Sequence, residues 1–109
     1  MMKEYTINLT LLVNPPFTDS ISGREFGEQH AKDTQVLKHI HDGEKIVLTI
    51  DSEFVKAIND SFIKGFFSKI FEKYHTVEKI KSFVELRSND NFQRLFEKNW
   101  AILEAINNA

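Results

Sequence analysis

Ile46-Val47-Leu48-Thr49-Ile50 is a nearly unbroken apolar run closed by Asp51. A strand with one face in water alternates apolar and polar residues; a strand covered on both faces does not. The run therefore predicts a central strand, parallel to a neighbour and buried on both sides. Parallel neighbours need crossover connections, so the segments on either side must carry helices.

Those segments fit. Ile7, Leu9 and Leu11 alternate with polar residues and lead into Leu12 and Val13, which predicts a first strand stopped by Asn14-Pro15-Pro16. Ser22-Gly23-Arg24-Glu25 has the spacing of a capping box and predicts a helix from about Gly23 to about His39, ended at His41-Asp42-Gly43. Its apolar stripe is thin, with His30 and Asp33 where apolar residues are expected.

After the central run, Phe54, Ile58, Phe62, Phe66, Ile70 and Tyr74 recur every fourth residue. One straight helix would place Phe54 and Tyr74 about 200° apart, on opposite sides. Two pieces broken near Asn59 bury both sets, so the break is expected. Phe62, Ile63, Phe66, Phe67, Ile70 and Phe71 then give a wide apolar face, and Gly65 inside it is expected to pack closely on the sheet. Lys81 to Ser88 reads as a further strand. Asn89-Asp90-Asn91 caps a last helix with Phe92, Leu95, Phe96, Trp100, Leu103 and Ile106 inward.

Strand, helix, strand, helix, strand, helix is an α/β order. The expectation is one domain over residues 1–109, a four- to five-stranded mixed sheet packed against three to four helices.

Composition narrows function. The net charge of −2 and the interspersed Lys and Glu leave no basic stripe for nucleic acid. No apolar run approaches the about 20 residues that span a bilayer, and Met1-Met2-Lys3-Glu4-Tyr5 has no signal-peptide character. The chain has no Cys, hence neither a disulfide framework nor a thiolate metal site, which fits a reducing cytoplasm. His39 and His41 point about 200° apart on a helix, so no metal is expected. Four scattered glycines make no phosphate-cradling loop. Ser61 lacks the flanking glycines of a nucleophile elbow.

What remains is Asn59-Asp60-Ser61 at a strand-to-helix handover, whose plain reading is helix capping. An apolar strand, a short bridge and an Asp-Ser-apolar helix start also resemble the STAS fold (sulfate transporter and anti-sigma factor antagonist). The resemblance is nearer to STAS-like domains of unknown function in small prokaryotic proteins. It rests on Ser22-Gly23-Arg24-Glu25-Phe26, on Ile46 to Asp51 and on Asp60-Ser61-Phe62, and covers Ser22 to Asn107.

The resemblance implies a non-catalytic regulatory module. Asn59, Asp60, Ser61 and Phe62 would contact a partner protein, with Ser22, Gly23 and Arg24 as a second contact. The partner implied is an ATP-binding kinase-like regulator, and no cofactor is implied. In anti-sigma antagonists the helix start is D-S-S-G with the first Ser phosphorylated. Here either an acid occupies that place or, one residue along, Ser61 is the acceptor; Phe62 replaces the small residue that follows. Two alternatives stay open: a small enzyme or nucleotide-binding domain using the same apex, and a free-standing phage-type inhibitor working through a strand edge.

Overall fold

The computed structural model describes residues 3–108. Strands β1 (Glu4–Asn8), β3 (Lys45–Thr49) and β5 (Val84–Arg87) form a parallel sheet in the order β1-β3-β5. Ile46 stands opposite Tyr5 on one side and Val84 on the other. The apolar run is thus the central strand, with Ile46, Val47 and Leu48 fully buried.

Its two faces differ. Ile46 and Leu48 join Ile7, Val84 and Leu86 in the core. Val47, on the opposite face by strand alternation, lies outside that cluster, on the face that carries Lys45, Glu85 and Arg87. Lys45 Nζ lies 2.7 Å from Glu85, whose carboxylate also pairs with Arg87, and Arg87 reaches Glu4 at 3.5 Å. Continuous apolarity was therefore a sound sign of centrality and an overstatement of helical cover.

Among the described residues five helices accompany the sheet: α1 (Arg24–Asp33), α2 (Val36–His41), α3 (Asp60–Tyr74), α4 (Val77–Lys81) and α5 (Asp90–Asn107). Helix α3 packs between α1 and α5. Its Phe62, Ile63, Phe66, Phe67, Ile70 and Phe71 are all buried. Phe96 and Trp100 of α5 meet Phe67 edge-on, with ring centroids 6.1 and 5.4 Å away. Edge-to-face contacts of this kind add to the area that the rings bury.

The architecture is α/β, and it corrects the expected four- to five-stranded mixed sheet. Among the described residues only three strands share the main sheet, and they are all parallel. The remaining two, β2 (Ser20–Ile21) and β4 (Ala57–Ile58), pair with each other as a separate parallel ladder. Nor does the first strand run through Val13: Leu9–Leu12 coil into a 3-10 turn, whose Thr10 N–H donates to Asn8 Oδ1 at 3.1 Å.

The helix count also exceeds three to four. The segment expected as one helix from Gly23 to His39 splits because Thr34 Oγ1 donates to the His30 and Ala31 carbonyls, and Gln35 turns left-handed at φ 54°. Thr76 caps the five-residue helix α4 by accepting from Lys79 N–H at 3.1 Å. The strand expected from Lys81 therefore begins only at Val84.

Candidate functional site

Two short strands lead into two helices side by side. Strand β2 feeds α1, strand β4 feeds α3, and Asn59 N–H donates to the Ile21 carbonyl at 2.8 Å to extend their ladder. This arrangement brings together the two segments singled out in the sequence, Ser22–Arg24 and Asn59–Phe62. We call their junction the apex.

Asn59 is the N-cap of α3. Its Oδ1 accepts from Ser61 N–H and from the Ser61 hydroxyl, both at 2.9 Å. The Ser61 hydroxyl oxygen in turn accepts from Gly23 N–H at 3.2 Å and so ties the entrance of α1 to the start of α3. Gly23 has φ 105°, a conformation that side chains rarely adopt, so glycine is required here. The Ser22–Glu25 capping box does not form: Gly23 itself is the N-cap of α1 and no side chain caps that helix. Ser22 is exposed.

The approach of the two helices is set by two more glycines. A Cβ on Gly65 would lie 2.1 Å from the Arg24 carbonyl oxygen, and one on Gly27 would lie 2.3 Å from that of Phe62. Gly65 is thus spent on contact with α1, not with the sheet as expected.

Asp60 is not the cap. One carboxylate oxygen accepts from Asn99 Nδ2 at 3.1 Å, the other from Lys98 Nζ at 3.2 Å. Asn99 is fully buried on α5 and also donates to the Leu95 carbonyl at 2.9 Å. The Asn99 hydrogen bond, aided by Lys98, holds the Asp60 carboxyl below its ordinary range against a smaller opposing effect of burial. Asp60 stays ionised and latches α3 to α5.

Phe62 is only 1% exposed, so it packs the core and offers no contact surface. Its neighbour Phe26, 5.7 Å away between centroids and 44% exposed, is the aromatic that reaches solvent. Arg24 is exposed as well and pairs with Glu28 at 3.3 Å. The outward surface of the apex therefore consists of Ser22, Arg24, Phe26, Asn59 and part of Asp60.

Proton chemistry is poorly served there. The Ser61 hydroxyl donates to an amide oxygen, not to an imidazole or carboxylate that could take its proton. His30 packs against Phe62 and Phe66, and burial holds its imidazole below the usual range although Asp33 opposes this. Among the described residues no three of His, Asp or Glu gather as metal ligands. No helix among them is long and apolar enough to cross a membrane.

A second site escaped sequence reasoning. A polar cleft of about 660 Å³ opens where all three parallel strands end, lined by Asn8, Thr49, Asp51, Arg87, Ser88 and Asn89. Open α/β sheets hold ligands beyond the carboxyl ends of their strands where the strand order reverses, and the order β1-β3-β5 has no such reversal. Thr10 Oγ1 accepts from Asp51 N–H at 2.9 Å and Ser88 Oγ donates to the Ile50 carbonyl at 3.0 Å, so the rim is tied to the sheet. The signal was a polar residue just at or after each strand end, visible only once the three strands are aligned.

Comparison of the chain with protein-family models, with curated proteins and with solved structures finds no match.

Proposed function

We propose that the chain is a non-catalytic, STAS-like interaction module that engages a partner protein through the apex. One observation carries the reading: Gly23 N–H meets Ser61 Oγ, so two segments 38 residues apart in sequence act as one surface. The polar groups of the apex are already engaged with each other, an arrangement suited to presenting a shape and not to turning over a substrate. Arg24 and half-exposed Phe26 beside it have the chemistry of interface anchors.

A STAS-like architecture is supported by parallel strands alternating with helices, and by helix α3 starting at Asp60-Ser61. The short three-stranded sheet is a departure from the expected form. A kinase-like partner would act on Ser61, where an added phosphate would remove the hydroxyl hydrogen that Asn59 Oδ1 accepts and place acceptor oxygens beside Gly23 N–H at the amino ends of two helices. The test is quantitative capture of a partner from a cell extract by immobilised protein. Arg24→Glu and Ser61→Asp should each lower capture by about tenfold, about 1.4 kcal/mol, with little change in the melting curve. Capture equal to wild type by both would remove the apex from the interface.

A second reading, a small-molecule-binding domain, rests on the strand-end cleft alone. A melting temperature raised by several degrees with millimolar ATP or GTP would select it, since a ligand of the native state must add stability.

A further inference from the structure

Beyond the glycine contact between α1 and α3 a cleft opens, bounded by the start of α2. Its volume is about 790 Å³, within the range of sites that hold a small molecule. The floor is apolar: Ala31 from α1, Val36 and Leu37 from α2, Phe66 and Ile70 from α3. Val36, Phe66 and Ile70 belong to the buried core, while Ala31 and Leu37 are half-buried and reach the surface.

Charge around the rim is sorted. Glu25 and Glu28 stand on the first part of α1, and Glu28 is committed to Arg24. Lys32 comes from the last turn of α1 and Lys38 from the start of α2, while Lys69 comes from α3. Lys69 pairs with Glu72 at 3.5 Å, both well exposed; Lys32 and Lys38 have no carboxylate within salt-bridge distance among the described residues. The chain as a whole is negative at −2, so this cationic pair is a local feature, not a share of a general positive field.

We propose that the cleft binds an anionic amphiphile: one alkyl chain along the apolar floor, ending in a carboxylate held by Lys32 and Lys38. A single alkyl chain fits within this volume, and two lysines without carboxylate partners beside the apolar floor favour an acid as its head group. The site shares no residue with the apex, and its proposed ligand groups, Lys32 and Lys38, lie outside it.

Titration of dansyl-undecanoic acid with the full chain at low salt tests this, using undecanoate and undecylamine as competitors. Saturable binding is expected, with undecanoate displacing the probe at least about tenfold better than the amine. Binding should weaken as salt screens the lysines. Lys32→Glu/Lys38→Glu changes only exposed side chains and should abolish the preference for the carboxylate. Ala31→Trp fills the floor and should remove probe binding, with circular dichroism checking that the variant is folded. Equal displacement by acid and amine overturns the proposal, as does a preference for the acid that survives the double charge reversal. So does self-association that Ala31→Trp removes, which would make a second copy the occupant.

Discussion

Asn59, Asp60 and Ser61 are adjacent and have three separate jobs. Asn59 closes the first turn of α3, Ser61 joins α3 to the entrance of α1, and Asp60 reaches across to α5. Their substitutions should therefore differ in cost. Asn59→Ala loses an N-cap and leaves Ser61 N–H without its acceptor, so it should cost about 1–2 kcal/mol. Asp60→Asn keeps an acceptor for Asn99 and loses only charge. With the Asp60 side chain 38% exposed, screening limits the loss to about 0.5–1 kcal/mol. Urea melts of the two variants should rank them in that order at neutral pH. The folded Asp60 carboxyl titrates below its unfolded value, so its contribution is present above the unfolded value and lost as pH falls through the folded one. The difference between wild type and Asp60→Asn should accordingly vanish in strong acid.

His30 makes a demand on pH in the same direction, at higher pH. Burial lowers its pKa from 6.5, so the unfolded chain takes up the proton more readily than the folded one. Stability is then full above about pH 6.5 and declines as pH falls toward the folded value. The His30 Nε2 is buried without a partner, and protonation would leave a charge among Phe62 and Phe66. The fall in melting temperature between pH 7 and pH 5 should be smaller in His30→Gln than in wild type. An equal fall would place the acid sensitivity elsewhere.

At the scale of elements, the decisive contact is the crossing of α1 and α3. Gly→Ala inside a helix ordinarily gains about 1 kcal/mol in propensity. At Gly27 and Gly65 the added methyl would meet backbone atoms 2.3 and 2.1 Å away, which cannot move without parting the helices. Gly27→Ala and Gly65→Ala should each destabilise by about 2–3 kcal/mol, as overpacking does. Calorimetry showing either variant as stable as wild type would mean that the helices are not in backbone contact. Sequence spacing identified Gly65 as a close-packing residue but not its partner, because Arg24 lies some forty positions away in the chain. The capping box failed for a local reason: Gly23, not Ser22, occupies the N-cap, at a φ that suits glycine. The break before α3 was legible because a 20-residue helix cannot aim Phe54 and Tyr74 the same way. The first piece is not a helix, however: turns and strand β4 precede α3, and Phe54 is 47% exposed instead of buried as expected.

At the scale of the molecule, the legible part was what apolar pattern controls. It gave the central strand, the buried face of α3, and Phe92, Phe96, Trp100 and Leu103 of α5. Ile106 was misjudged, at 63% exposed, because the end of α5 runs beyond the core. The two-residue strands β2 and β4 and the five-residue helix α4, little more than one turn, have too few side chains for their period to register. The candidate site was legible as two segments and not as one surface, since the bond that joins them spans 38 residues. That bond is the central claim, and hydrogen exchange at the Gly23 amide tests it directly. The amide should be protected in the wild type, and Ser61→Ala should speed its exchange by about threefold to tenfold, matching a neutral hydrogen bond of about 0.5–1.5 kcal/mol. The Phe92 amide, held by Asn89 at the start of α5, should exchange as before. A Gly23 amide that exchanges freely in the wild type, or is indifferent to Ser61→Ala, would mean that the two segments do not form one apex.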